Sequence, residues 1–341
     1  MTAAEAILVV MWVSVTFYAL FGGADFGAGV WDLAALRSQR GPDERALIDR
    51  SIGPVWEANH VWLIFVLVTL WTAFPRAIVP LMTTLYRPLS LVALGVILRG
   101  AGFALRHHVH HRLRPVLTAT FGVSSVLTPW FLGAFAGAVA SGQVPSTAAN
   151  TAWLHPVSLV GGTLAVCTCA YLAAVYLCAE AARGPDPGLT AAFRARALAA
   201  GAVCAAMAAL GAVVLHADAA RLFQGLVHRA LPLSVLSGTA AAASLALVWR
   251  GRFRGARAAA ALAVGAVIWA WGVAQFPYVL PPSLTVTAAA AAHATLVASV
   301  IAAGVGSALV LPALGLLFVL RERGVLQVPG TDVDGVAVVG S

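Results

Sequence analysis

Nine apolar runs, near residues 5–24, 55–74, 78–101, 115–140, 156–179, 195–216, 229–249, 257–277 and 287–320, take up most of the chain and dictate what it can become. A helix rises about 1.5 Å per residue, so each run is long enough to cross a ~30 Å hydrocarbon core. Inside a bilayer the backbone must satisfy its own hydrogen bonds, which leaves helices or closed barrels. The sequence holds none of the short alternating segments that build barrels. It therefore predicts an all-α, polytopic membrane helix bundle over residues 1–321, with 322–341 as a mobile tail on the inner side. Charge content agrees: 10% of residues are charged, against about 25% in soluble domains.

The connections between runs alternate in charge. Arg37, Arg40, Arg45 and Arg50 follow the first run, and Arg106, Arg112 and Arg114 the third. Arg183, Arg194 and Arg196 follow the fifth, Arg250, Arg252, Arg254 and Arg257 the seventh, and Arg321 and Arg323 the ninth. The opposite side holds only Arg76, Arg221 and Arg229, with Arg87 near a helix start. The positive-inside rule then places the N-terminus outside and the C-terminus inside, which requires an odd number of spans. This topology also accounts for the net charge of +8, which lies between apolar spans and argues against nucleic-acid binding. No Arg precedes the first run, so it reads as a retained helix rather than a cleaved signal. Cys167, Cys169, Cys178 and Cys204 fall inside apolar runs at no metal-binding spacing and read as small hydrophobes.

Polar groups within the spans are the candidate site. Asp25 lies in Gly22-Gly23-Ala24-Asp25-Phe26-Gly27-Ala28-Gly29, and Asp32 follows two helical turns later on the same face if the helix continues. Glu57 opens the second span, in Trp56-Glu57-Ala58-Asn59-His60-Val61-Trp62, and Arg99 ends the third. The topology brings Asp25, Glu57 and Arg99 to one depth near the inner boundary. A buried carboxylate costs about 2.5–3.5 kcal/mol at mid-bilayer on insertion scales, so such groups need a reason to be there. Two readings are open: a mouth for proton uptake, or an ion pair that ties three helices together. His60, three residues from Glu57, can relay a proton or make an interhelix hydrogen bond. Asn59 can bond a neighbouring helix, Trp56 and Trp62 can anchor at the interface, and Gly23 and Gly27 form a close-packing GxxxG pair.

Other features read as structural. His107, His108, His110 and His111 sit in an Arg-rich loop without Cys or acid partners, which favours a solvated loop over a metal site. Haem ligation by His60, His155, His216, His293, Met82 or Met207 would need opposed pairs on facing helices, and no motif marks one. The segment Phe276-Pro277-Tyr278-Val279-Leu280-Pro281-Pro282-Ser283 predicts a stiff turn closing the eighth span.

Four of these blocks resemble, in order, the subunit II family of cytochrome bd-type quinol oxidases. Gly22–Gly29 is similar to the family's GxDxG signature, and Ser51–Ile64 to its W-(D/E)-x-N-x-V-W-L motif. Ile97-Leu98-Arg99-Gly100-Ala101-Gly102-Phe103 resembles its third-helix motif, and Phe276–Ser283 its late aromatic–proline turn. The resemblance implies nine spans as two four-helix bundles plus one helix, with no cofactor bound by this chain. It implies a bacterial cytoplasmic membrane location and a partner subunit I carrying b- and d-type haems. A small single-helix subunit and membrane lipid are further partners it implies. The complex would oxidise quinol and reduce dioxygen to water, with cytoplasmic protons taken up through the positions of Glu57, Asp25 and Arg99. Two departures stand out: Ala104 replaces a common acid, and an Ala run ending in His293 replaces a Trp-Asp pair. The alternative function is a stand-alone proton-coupled or small-solute transporter, which would show inverted repeats and broken helices.

Overall fold

The computed structural model describes residues 1–105, 113–145 and 151–322, apart from the side chains of 52–58, 114, 311, 314 and 317–322. The His107–His111 cluster and the tail beyond Glu322 lie outside the described residues. The chain enters α1 (Ala3–Ala35), α2 (Gly41–Ala73), α3 (Pro75–Leu105) and α4 (Arg114–Ala140). A 3-10 turn at Ala152–Leu154 leads into α5 (Pro156–Ala181), α6 (Pro187–Asp218), the short α7 (Ala220–Val227), α8 (Leu231–Trp249) and α9 (Phe253–Gln275). An antiparallel hairpin, β1 (Tyr278–Leu280) and β2 (Leu284–Thr285), precedes α10 (Val286–Ala289) and α11 (His293–Glu322).

Local chemistry explains where these helices begin. Thr2 and Glu5 form a reciprocal capping box on α1, with Glu5 N–H donating to Thr2 Oγ1 at 3.2 Å and Thr2 N–H to Glu5 Oε2 at 2.7 Å. Proline, which has no N–H to lose in a first turn, opens α2, α4, α5, α6 and α8. Asp186 caps α6 by accepting from the N–H groups of Gly188 at 2.8 Å and Leu189 at 3.3 Å. It also pairs with Arg40 of the α1–α2 connection. Against the rise that desolvation causes, these two N–H groups and then Arg40 hold the Asp186 carboxyl below the usual carboxylate range.

Helices α1–α4 pack as one four-helix set and α5, α6, α8 and α9 as a second, while α11 lies against α1 and α2. The seam between the sets is α1 and α4 against α5. At the hairpin end the core is Ile7, Phe74, Leu81, Val139, Leu280 and Leu296. At the Arg-rich end it is Ala28, Ile48, Ala173, Leu177 and Phe193. The predicted turn Phe276–Ser283 is the hairpin's first strand and its bend. It is held by Gln275 Nε2 donating to the Val279 carbonyl at 3.0 Å and by Val286 N–H donating to the Pro277 carbonyl at 2.8 Å.

Each predicted apolar run lies for most of its length in one long helix, and the differences lie at the ends. Among the described residues, α1, α3, α4, α5, α6, α8, α9 and α11 are long and apolar enough to cross a membrane, and the described apolar part of α2 is Asn59–Ala73. The first helix runs eleven residues past its predicted end, so Asp25 and Asp32 are helical and buried rather than at its mouth. The second starts at Gly41, so Glu57 lies well inside α2 and does not open it. The last starts at His293 rather than 287, because hairpin and α10 take up the preceding residues. Arg87, read as near a helix start, lies twelve residues into α3. That helix is interrupted at Leu85 (φ −119°, ψ 22°), between Pro80 and Pro88.

Candidate functional site

The glycine-rich stretch of α1 lets three other helices reach its backbone. A Cβ on Gly27 would lie 1.8 Å from the Cys169 carbonyl oxygen of α5, and one on Gly29 would lie 2.1 Å from Ser125 Oγ of α4. A Cβ on Gly22 would lie 2.9 Å from Asn59 Nδ2 of α2. Gly23 faces α5 as well, 2.8 Å from Leu172 Cδ1 by the same measure. The GxxxG pair is thus an α1–α5 contact, and the residues between its glycines project into the first bundle.

Asp25 projects toward α3 and meets Arg99. Arg99 Nη1 donates to Asp25 Oδ2 at 2.8 Å and Nη2 to Oδ1 at 2.7 Å, a two-pronged carboxylate–guanidinium pair. Nη2 also donates to the Asp25 carbonyl at 3.0 Å, and Nε to Ser125 Oγ at 2.9 Å. Ser125 Oγ in turn donates to the Phe121 carbonyl at 2.6 Å. The guanidinium lies 4.9 Å from the Phe26 ring centre and 4.8 Å from that of Phe121, so aromatic faces flank the cation. The pair is sealed from solvent, with side-chain exposure of 2% for Arg99 and 0% for Asp25. Such a charge pair survives burial only because nearly every donor and acceptor is matched.

Of the residues expected to converge, Asp25 and Arg99 meet. Glu57 and Trp56 lie in α2, their side chains outside the described residues. The position of their stretch follows from Asn59, which is fully buried against Gly22, one turn before Asp25. This part of α2 therefore runs beside the Asp25 turn of α1. Among the described residues, neither amide atom of Asn59 has a hydrogen-bond partner. A buried amide left in that condition costs about 1–3 kcal/mol, which makes Asn59 available to a group from outside the chain or to ordered water. His60 is half-buried, and Asp32 is fully buried two turns beyond Asp25.

Trp62, suggested as an interfacial anchor, has an aromatic neighbour on α1. It stacks on Phe17 at 4.6 Å between ring centres, well inside α1 and α2. His155 stands at the start of α5, and His216, in the last turn of α6, packs edge-on against Phe223 at 4.8 Å. The described residues form no cluster of three or more His, Cys, Asp or Glu side chains.

A second buried charge network joins α2 to α6 at the Arg-rich end. Arg196 Nη2 donates to Glu44 Oε2 at 2.8 Å, and Ser38 Oγ to Glu44 Oε1 at 2.9 Å. The Arg196 guanidinium lies 5.0 Å from the Phe193 ring and 5.7 Å from Trp31. Glu44 is not among the candidates the sequence singles out. Its signal was Gly41-Pro42-Asp43-Glu44, a helix start with acids in the first turn.

The family model for cytochrome bd terminal oxidase subunit II matches residues 3–320 of the chain. A Bacillus subtilis (strain 168) cytochrome bd ubiquinol oxidase subunit 2 is 29% identical over 166 residues, 46% of this chain and 48% of that protein. A putative cytochrome bd menaquinol oxidase subunit II of the same organism is 29% identical over 123 residues, 36% of this chain and 35% of that one. The chain thus aligns with about half or less of the length of these curated relatives. The structure of a bd oxidase from Geobacillus thermodenitrificans superposes with a TM-score of 0.81 at 23% identity, over 94% of this chain and 99% of that one. That likeness establishes a shared fold. The comparisons favour the oxidase resemblance over a stand-alone transporter.

Proposed function

From the premise that the chain belongs to the cytochrome bd terminal oxidase subunit II family, we propose that it is the non-haem membrane subunit of a quinol:dioxygen oxidoreductase. It would pair, in a bacterial cytoplasmic membrane, with a subunit I carrying the b- and d-type haems. A small single-helix subunit and bound lipid are compatible additions. The nine-span arrangement with the N-terminus outside belongs to the same proposal, supported by the alternation of Arg-rich and Arg-poor connections. When bound in the partner, the haems supply the electron transfer from two quinols to one dioxygen, which consumes four protons for two waters.

The observation that carries the reading is the sealed Asp25–Arg99–Ser125 clasp, built from two separate family-like blocks and closed across α1, α3 and α4. Both oxygens of Asp25 are occupied by Arg99, so we assign Asp25 and Arg99 to positioning: they hold α1 and α3 so that α2 presents Glu57, Asn59 and His60 at one place. Glu57 is the proton-accepting acid in this scheme, with Asn59 and His60 as its polar neighbours on α2.

Glu57→Gln tests the assignment, because it keeps the size of the side chain and removes its titratable proton. Oxidase turnover of the purified complex should fall about tenfold or more, with haem content per complex unchanged, and Glu57→Asp should restore most of it. Parallel loss of haem and turnover in Glu57→Gln would make Glu57 structural.

A further inference from the structure

The second bundle carries positive charge that no acid answers. Between Asp218 and Glu322 the sequence contains neither Asp nor Glu, yet the turn from α8 to α9 reads Arg250-Gly251-Arg252-Phe253-Arg254. Gly251 permits the turn: its φ of +71° is one that L side chains rarely adopt, and Arg252 N–H closes back on the Leu247 carbonyl at 2.8 Å. Arg250, Arg252 and Arg254 are exposed around it. Among the described residues every ion-paired carboxylate is taken by another arginine, Glu180 by Arg183 and Arg257, Asp186 by Arg40, Glu44 by Arg196 and Asp25 by Arg99. The α1–α2 connection differs, since Asp43, Glu44 and Asp49 are interspersed with its arginines.

A cleft opens on either side of this turn. One, of about 570 Å³, lies between α6 and α8 and is lined by Leu198, Leu245, Ala246, Trp249 and Arg250. The other, of about 320 Å³, is lined by Arg183, Arg252 and Arg254 among small residues of α5 and the start of α9. The first is apolar apart from Arg250, and the second is basic. Arg194 of α6 adds a guanidinium at the rim of the first cleft. Its Nη2 donates to the Trp249 carbonyl, and its Nε is buried without a hydrogen-bond partner among the described residues.

The two clefts sit at different depths. Trp249 ends α8 and is 70% exposed, the setting of a tryptophan at headgroup level. Leu245 on α8 and Leu198 on α6 lie about one helical turn, roughly 5–6 Å, farther toward the hydrocarbon. A soluble anion would engage the arginines and leave the apolar groove empty. A neutral apolar molecule would fill the groove and leave the arginines unanswered. A lipid with a negatively charged phosphate headgroup matches both at once, because guanidinium forks suit phosphate and basic pockets between membrane helices favour such headgroups.

We propose that the α6–α8 groove and the α8–α9 turn form a binding site for one anionic phospholipid from the leaflet on the Arg-rich side. An acyl chain lies against Leu198, Leu245 and Trp249, and Arg250 holds the phosphate together with the arginines across Gly251. The site is built by the second bundle alone and does not depend on the oxidase assignment.

The test uses the full-length chain, purified in mild detergent with whatever subunits accompany it. It is exchanged with equal amounts of phosphatidylglycerol and phosphatidylcholine of the same chain length, and retained lipid is read by native mass spectrometry. The parent should retain phosphatidylglycerol about tenfold over phosphatidylcholine. Arg250→Gln/Arg252→Gln/Arg254→Gln should lose that preference. Arg37→Gln/Arg45→Gln/Arg50→Gln, with the same change of charge in the α1–α2 connection, should keep it. Ala246→Trp fills the groove without touching a charge and should also lose the retained phosphatidylglycerol; if the α8–α9 variant does not accumulate, this variant decides. Equal retention of the two lipids by the parent would overturn the inference. So would equal losses in the two arginine variants, which would mean a general surface-charge effect. Displacement of phosphatidylglycerol by inorganic phosphate, with Ala246→Trp behaving as the parent, would make this a free-anion site and overturn the lipid assignment.

Discussion

Arg99→Leu should nearly abolish accumulation of the folded chain in the membrane. The substitution leaves the Asp25 carboxylate buried with both oxygens deprived of their donors, and it takes the Nε donor from Ser125. Breaking a buried ion pair from one side costs about 3–5 kcal/mol. A domain's whole stability is about 5–15 kcal/mol, so the loss is a large share of it. Asp25→Leu should do comparable harm by stranding the guanidinium. The double variant Asp25→Leu/Arg99→Leu should be less damaging than either single change, because it leaves no unpaired charge. Membrane yield and thermal unfolding of the three variants check this order. A double variant worse than both singles would mean that the two side chains do not act mainly on each other.

Gly27→Ala is the second large effect, and its sign is opposite to the usual one. Alanine in place of glycine within a helix normally stabilises by about 1 kcal/mol. At position 27 the added Cβ would sit 1.8 Å from the Cys169 carbonyl oxygen and 2.8 Å from Ala173 Cβ. The first of these is helix backbone, which cannot rotate away, so α1 and α5 must separate. Overpacking of this kind costs about 1–3 kcal/mol, and more where backbone must move. The shift would also pull Asp25, two residues earlier, off Arg99. Gly238→Ala on α8 is the control, since nothing lies within 4 Å of the Cβ it would add. Thermal unfolding should show Gly27→Ala melting well below the parent and Gly238→Ala at or above it.

Depth in the membrane explains what the sequence made legible. Counting residues from the ends of the first and third apolar runs was enough to place Asp25 and Arg99 together, because helical rise is regular. Ser125 was not legible: it is one hydroxyl in a helix with several, and only the approach of α4 to Gly29 singles it out. Helix ends were misplaced wherever polarity and helicity part company. Hydropathy locates the apolar portion of α2, while Gly41-Pro42-Asp43-Glu44 starts the helix fourteen residues before the predicted 55. The error moved Glu57 from the end of a helix to its interior. At the other end of the chain, residues 287–292 read as apolar helix, yet α10 ends at Ala289 and Ala291 N–H donates instead to the Ala73 carbonyl at the end of α2, at 2.9 Å. The stacking of Trp62 on Phe17 was not legible either, since it depends on how α1 and α2 face each other.

The central claim is that this chain works as the non-haem half of a bd-type quinol oxidase. Affinity purification in mild detergent, followed by a reduced-minus-oxidised visible spectrum, tests it most directly. The account predicts a co-purifying membrane subunit with b- and d-type haem bands and quinol-dependent oxygen consumption. A colourless chain, recovered alone and stable in the same detergent, would contradict it.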